Sequence, residues 1–204
     1  MATALSVSRL TVREALSGLE ARGLLAAQKG RRHVVRTPNG EPAGDFFRTA
    51  VRRNPASLYE LLEVRRALEV HIAQLAAVRS TRSARSGMEA ALATMEELSA
   101  AAATPEVENA FHEADVQFHE ALAAATSNTL LIHLIEQLAE PLRISRRSSW
   151  QGRVRDQRPL QPVVEAHRKI LDRVVAGDPT GAANAMRTHL DATEHDLRAA
   201  LDAI

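Results

Sequence analysis

An aspartate stands four residues before a histidine in ADVQFHEAL (114–122), a run that otherwise reads as an amphipathic helix. Four residues is a little over one helical turn, so Asp115 and His119 share a face. Such a pair can be a surface hydrogen bond, or half of a metal site completed from elsewhere in the chain. Helical phase sorts the other histidines. In PVVEAHRKILDRVV the apolar stripe is Val163, Val164, Ile170, Leu171 and Val174. His167 follows the first two of these by one turn and points inward with them. His189, in AANAMRTHLDATEHDL, lies beside Met186 and Leu190 on a similar stripe. Burying one carboxylate and three imidazoles without partners is costly, and a shared divalent cation would satisfy all four. The plainer alternative is that each is a separately hydrogen-bonded core residue. Three nitrogens and one oxygen suit zinc first, with nickel, manganese or iron as alternatives. The chain has no cysteine, which excludes thiolate ligation and disulfides. His33 falls in a short hairpin, and His71, His112, His133 and His195 have no comparable inward carboxylate, so these read as structural or exposed.

The elements that must position the four donors read as helices. Apolar residues make up 45% of the chain and aromatics only 3%, with Ala and Leu abundant, which favours helix over sheet. SLYELLEVRRALEVHIAQLAAVRS (57–80) opens on Ser57 as N-cap with Glu60 three residues on, a capping box. A second helix covers about 81–101 with Met88, Leu92, Met95 and Leu98 as its stripe, and Thr104-Pro105 opens a third that runs to about Ala125. A fourth spans Asn128 to about Ser148, followed by the polar connection SSWQGRVRDQRP. A fifth covers about 160–176 and stops at Gly177, and Asp178-Pro179 caps a sixth. Six helices with short loops make an all-α, antiparallel bundle over 57–204.

Ahead of the bundle the composition changes. Residues 1–36 hold seven basic and two acidic side chains, a local excess of +5 in a chain whose formal net charge is +1. A basic head on a mildly acidic body suits a polyanionic partner. SRLTVREALSGLEAR (8–22) reads as a helix capped by Ser8, with Val12, Ala15, Leu16 and Leu19 as its stripe. Gly23 follows, then strands over Leu24–Gln28 and His33–Arg36 around a KGRR turn at Gly30. This outline is a partial winged helix-turn-helix over 1–36. Residues 37–56 read as a linker, with two Pro and two Gly in TPNGEPAGD. No apolar run approaches the ~20 residues of a membrane span, and no signal-peptide pattern opens the chain, so a cytoplasmic place is expected.

The two halves together resemble a known family. VSRLTVREALSGLEARGLLAAQKGRRHVV resembles the C-terminal two-thirds of the GntR-family DNA-binding domain, whose pattern runs VSRxTVRxAL…LxxxGL…GxGxxV. LYELLEVRRALE (58–69), DVQFHEALAAATSNTLL (115–131), EAHRKILDRVVAGD (165–178) and AMRTHL (185–190) resemble the FCD class of that family, the helical ligand-binding domain of FadR-type regulators. The metal pattern of that class is Asp-x3-His plus one His from each of two later helices, and it falls on Asp115, His119, His167 and His189. Two departures stand out. In the family another helix and most of a second precede the VSR segment, so the chain is expected to start late, from a misassigned start or a truncation. The family's wing tip is Gly-x-Gly, and Gly30-Arg31-Arg32 replaces the second Gly.

The resemblance implies a mechanism. Ser8, Arg9 and Arg13 would contact operator DNA from the start of the recognition helix, with arginine reading guanine in the major groove. Gly30 would sit at the wing tip, and Arg31 and Arg32 would meet phosphates. In the bundle, Arg65 would anchor the carboxylate of a small organic acid bound at the metal, and Asn128 would add a hydrogen bond. Such regulators bind palindromic sites as homodimers. The alternatives are a purely structural metal or an all-α metalloenzyme of hydrolase type. The second needs a general base near the metal, and no second inward carboxylate stands out in the sequence. The expected protein is therefore a regulator and not an enzyme.

Overall fold

The computed structural model describes residues 2, 6–22, 24–26, 33–35, 41–101 and 104–202. Among these are eight helices and one two-stranded sheet: α1 Arg9–Ala21, β1 Leu25–Ala26, β2 Val34–Val35, α2 Glu41–Arg53, α3 Ser57–Arg79, α4 Arg82–Ser99, α5 Pro105–Ala124, α6 Thr129–Arg155, α7 Gln161–Val175 and α8 Pro179–Leu201. The expected all-α bundle is α3 to α8. No helix among the described residues is long and apolar enough to cross a membrane.

Short polar residues set where the bundle helices begin. Thr81, Thr104, Asn128 and Asp178 each accept a hydrogen bond from the backbone N–H three residues on, capping α4, α5, α6 and α8. Pro105 and Pro179 occupy the first turn, where a missing N–H costs nothing. Ser57 does not cap α3 as expected. The Asn54 side chain accepts from Ala56 N at 3.1 Å and starts a turn that leads into the helix, so Ser57 is already helical. Gly177 ends α7 with φ at +66°, a backbone state that suits glycine.

The core is aliphatic, methionine-rich and continuous. Ile72, Met88, Met95, Phe118, Leu138, Ile170, Met186, Leu190 and Leu197 are fully buried. α8 is the central element and packs against α3, α6 and α7, while α4 covers α5. α6 meets α8 tightly at Gly152, where a β-carbon would overlap the Asp196 carbonyl oxygen and lie 2.9 Å from Ala200 N.

Two stretches differ from the sequence expectation. The segment read as a linker over 37–56 holds α2. Pro42 falls in its first turn, where a helix tolerates proline, and Phe47, Ala50 and Val51 repeat at helical spacing toward the core. α6 runs seven residues beyond Ser148, through what read as a polar connection, because the polar residues of that turn face inward. In the head, Ser8 caps α1 by accepting from Thr11 N at 3.0 Å. α1 buries none of its side chains, and of the expected stripe Val12 and Leu16 are half-buried while Ala15 and Leu19 are exposed, because no described element covers them. β1 and β2 pair antiparallel, Leu25 opposite Val35 and Ala26 opposite Val34, and residues 27, 28 and 36 of the expected strands lie outside the described residues. Gly23 and the KGRR turn, with Gly30, Arg31 and Arg32, lie outside the described residues.

Gly152→Ala is expected to force α6 off α8. Overpacking of this kind costs about 1–3 kcal/mol, which thermal unfolding would read as a melting-point drop of roughly 3–10 °C. An unchanged melting point would mean that the two helices are not in contact at this residue.

Candidate metal centre

Three helices bring the four donors together. α5 supplies Asp115 and His119, α7 supplies His167 and α8 supplies His189. One ligand atom from each lies within 4.8 Å of the others. His167 Nε2 stands 3.0 Å from Asp115 Oδ1 and 3.3 Å from His119 Nε2, and His119 Nε2 is 4.0 Å from Asp115 Oδ1. Donors about 2.1 Å from a tetrahedral ion are themselves roughly 3.4 Å apart, so the spacing suits a single cation.

The tautomers also suit it. His167 Nδ1 donates to the Val163 carbonyl at 2.8 Å, so its Nε2 is free to present a lone pair. His119 Nδ1 lies 2.7 Å from Glu69 Oε2, a short contact off the ideal hydrogen-bond line that places the proton on Nδ1 and the lone pair on Nε2. Two imidazole lone pairs thus face each other at 3.3 Å beside a carboxylate oxygen. That is repulsive for neutral rings and favourable around a divalent cation. The donor set fits the metal that the sequence implies.

A belt of charge surrounds the four. Glu69, 3% exposed, takes a hydrogen bond from Arg65 Nε at 2.7 Å and another from Arg146 Nη2 at 3.3 Å. Arg146 Nε lies 3.3 Å from Asp115 Oδ2, so one guanidinium ties both carboxylates. Burial alone would raise the Asp115 carboxyl, but His167, His119 and Arg146 hold it well below the usual range. Burial would likewise raise Glu69, and Arg65, His119 and Arg146 pull it well down. Burial, then Arg146, lowers His119 to about 4 against the opposing pull of Glu69 and Asp115. Burial, then His167 and His119, lowers His189 as well.

A cavity opens from the centre between α5, α6, α7 and α8, with Asp115 and His189 in its wall and Arg65 and Arg146 beside them. Arg65 lines this cavity, and Arg66 points outward to Asp191 and Glu194. Asn128 is not brought to the cavity. Its Oδ1 accepts from Leu131 N at 3.2 Å and caps α6, because it stands at the far end of that helix. His112, read as structural or exposed, is half-buried and lines the cavity, and its imidazole is pushed down chiefly by burial. His71, His133 and His195 are exposed, and His33 pairs with Glu20 at 3.2 Å. Arg9 and Arg13 are exposed on α1 and Ser8 is its cap.

Glu69 corrects the expectation that no second inward carboxylate exists. It shares an inward stripe with Leu58, Leu62, Arg65, Ile72 and Ala76, a phase that α3 carries in the sequence. Both its oxygens are engaged by Arg65, Arg146 and His119, so it positions His119 and is not free to act as a base.

The depressed imidazoles make a pH signature. His119 and His189 have an ordinary value of 6.5 and are lower in the fold, so below that pH the unfolded chain binds more protons. Metal-free protein is expected to keep this stability above about pH 6.5 and lose it as pH falls through about 4. Asp115 and Glu69 act in the same direction further down, and Asp196, which burial raises, acts in the opposite one. Melting temperatures in chelator between pH 7.5 and 4 should fall below about 6.5. A flat profile would show that the imidazoles are not buried neutral.

Residues 60–192 match the FCD domain family. The chain is 31% identical over 198 residues to the HTH-type transcriptional regulator LutR of Bacillus subtilis, covering 97% of this chain and 88% of that protein. It is 32% identical over 209 residues to the Uxu operon transcriptional regulator of Escherichia coli, covering 97% and 75%. Its fold is like that of a Streptococcus agalactiae GntR protein, with a TM-score of 0.67 over 95% of this chain and 85% of that one, at 24% identity. The chain belongs to the FCD-domain family and is a transcriptional regulator of the GntR type.

Proposed function

We propose that the chain is a DNA-binding regulator whose helical domain senses a small organic acid through a divalent metal held by Asp115, His119, His167 and His189. The observation that carries this reading is the convergence of the four donor atoms beside a cavity that Asp115, His189, Arg65 and Arg146 line. Charge supplies the reason for an acid. Arg65 and Arg146 balance Glu69 and Asp115, and His119 and His189 are held in their neutral forms, so a divalent ion leaves a buried excess of positive charge. An anion entering the cavity offsets that excess.

When bound, the metal supplies Lewis acidity and an electrostatic anchor for the carboxylate. The chain's own residues do the rest. Arg65 holds Glu69, Glu69 orients His119, and Val163 orients His167. Arg65 provides the second anchor for the acid, with guanidinium nitrogens left over after Glu69. Zinc is the first choice of ion, with nickel, manganese or iron as alternatives. The regulator acts as a homodimer on double-stranded operator DNA, and the acid works by its different affinity for two arrangements of the dimer.

The test compares thermal melts of metal-loaded and chelator-stripped protein against a panel of small organic acids. A ligand at about 100 times its dissociation constant stabilises by ~2.7 kcal/mol, which is roughly 5–10 °C for a chain of this size. A metal-dependent shift with one class of acid is expected. Metal stabilisation with no response to any acid would leave a structural ion, and no metal effect would overturn the site.

Arg9 and Arg13, exposed at the start of α1, are the proposed base-reading residues. Arg9→Ala and Arg13→Ala should each cost about 1–3 kcal/mol of operator preference over random duplex. Arg32→Ala should mainly flatten the salt dependence, by a slope of about one unit. Fluorescence anisotropy with labelled duplexes at several salt concentrations separates the two. Unchanged preference in both α1 variants would refute the assignment.

A further inference from the structure

We infer that the sensed acid carries a second oxygen acceptor, about one helical turn from the metal-facing carboxylate, and that Trp150 reads it. The inference rests on the proposed acid-sensing function and adds the chemical class of the ligand.

Among the helices that line the cavity, α5, α6 and α8 arrange their side chains in layers. Asp115, Arg146 and His189 form the metal end. Phe111, Trp150 and Thr193 lie four residues along α5, α6 and α8 respectively, a displacement of about 6 Å along each axis. Arg153 and Asp196 close the far end, with Nε 3.0 Å from Oδ2.

The middle layer has a donor to spare. Trp150 Nε1 is buried and has no hydrogen-bond acceptor in the protein. The indole ring is held against Phe111, with ring centroids 5.1 Å apart. An indole nitrogen can only donate, and a buried donor left unpaired is costly. The neighbouring hydroxyls do not relieve it. Thr193 donates to the His189 carbonyl at 3.0 Å and Ser149 to the Ser145 carbonyl at 3.1 Å, and neither hydroxyl oxygen accepts from the indole nitrogen. The layer above the metal is therefore apolar on its Phe111 side and polar on its α6 and α8 side. A plain alkyl tail leaves the indole N–H unpaired, whereas a chain ending in a carboxylate or hydroxyl oxygen satisfies it. The far end does not repel such a group, since Arg153 and Arg158 both contact the single carboxylate of Asp196, the latter at 2.5 Å.

Metal-loaded protein is titrated calorimetrically with butyrate, succinate and 4-hydroxybutyrate, three acids of one chain length that differ at the far end. Succinate or 4-hydroxybutyrate is expected to bind on the order of tenfold tighter than butyrate. The advantage, read as the ratio of succinate or 4-hydroxybutyrate affinity to butyrate affinity within the same variant, should disappear in Trp150→Phe. Succinate alone showing the advantage identifies a charged second group, and both showing it identifies any acceptor oxygen. Trp150 is the chain's single tryptophan, so intrinsic emission gives a second readout that needs no variant. The acceptor-bearing acids should shift it and butyrate should not. Equal binding of butyrate, or an advantage that survives Trp150→Phe, overturns this inference and leaves the sensor reading standing. Binding of none of the three, or binding indifferent to the metal, overturns the sensor reading and the inference with it.

Discussion

The bundle depends on charge cancellation in its interior. Arg65, Glu69, Asp115 and Arg146 are all buried, and any one of them without the others would be an uncompensated ion in a poor solvent for ions. Arg146 Nε and Nη2 reach one carboxylate each, Asp115 on α5 and Glu69 on α3, so a residue of α6 ties three helices. His119 and His189 stand inside this framework with their imidazoles pushed down by burial. Replacing a single member exposes its partners to the full cost of desolvation, which makes the cluster a specification of how α3, α5 and α6 sit against one another as much as a source of stability. Phe118 adds an apolar wall, its ring 4.8 Å from that of His167 and edge-on to it.

The same network divides the labour of the site. Glu69 and the Val163 carbonyl fix which nitrogen of His119 and His167 is protonated, and so which nitrogen faces Asp115. Asp115 and His189 belong both to the donor cluster and to the cavity wall, so whatever occupies the cavity meets the donors directly. One face of α6 supplies a continuous part of the polar lining. Arg146, Ser149, Trp150 and Arg153 follow the spacing of a single helical stripe, and that face extends the helix past Ser148.

Much of this was legible in the sequence, and the rest failed for identifiable reasons. The six bundle helices are readable from their caps and apolar phase, and the convergence of Asp115, His119, His167 and His189 from helical phase. The end of α6 was not, because a helix that turns polar residues inward looks like a loop when polarity is taken as exposure. α2 was hidden by Pro42 and Gly44, two residues that usually break helices. Glu69 does not stand out in the sequence, although its position four residues after Arg65 puts it on the same inward face, because polarity alone does not separate a buried carboxylate from a solvated one. The α1 stripe failed differently. Its apolar pattern is that of a covered helix, and the described residues provide no cover.

Pro141 and Gly44 make a fitted joint whose consequence reaches beyond packing. Proline lacks an N–H, so the Gln137 carbonyl one turn earlier has no helical donor, and α2 closes on that carbonyl where Gly44 offers no side chain, with a β-carbon there standing only 2.8 Å from the oxygen. Gln137 and Arg146 are nine residues apart, which puts them on opposite faces of α6. One face of this rod therefore grips the charged interior, and the other is the bearing for the helix that leads back to the basic head. A rotation of α6 that moves Arg146 inward carries the bearing with it, so the interior and the exit of the chain toward its DNA-binding end share a single shaft.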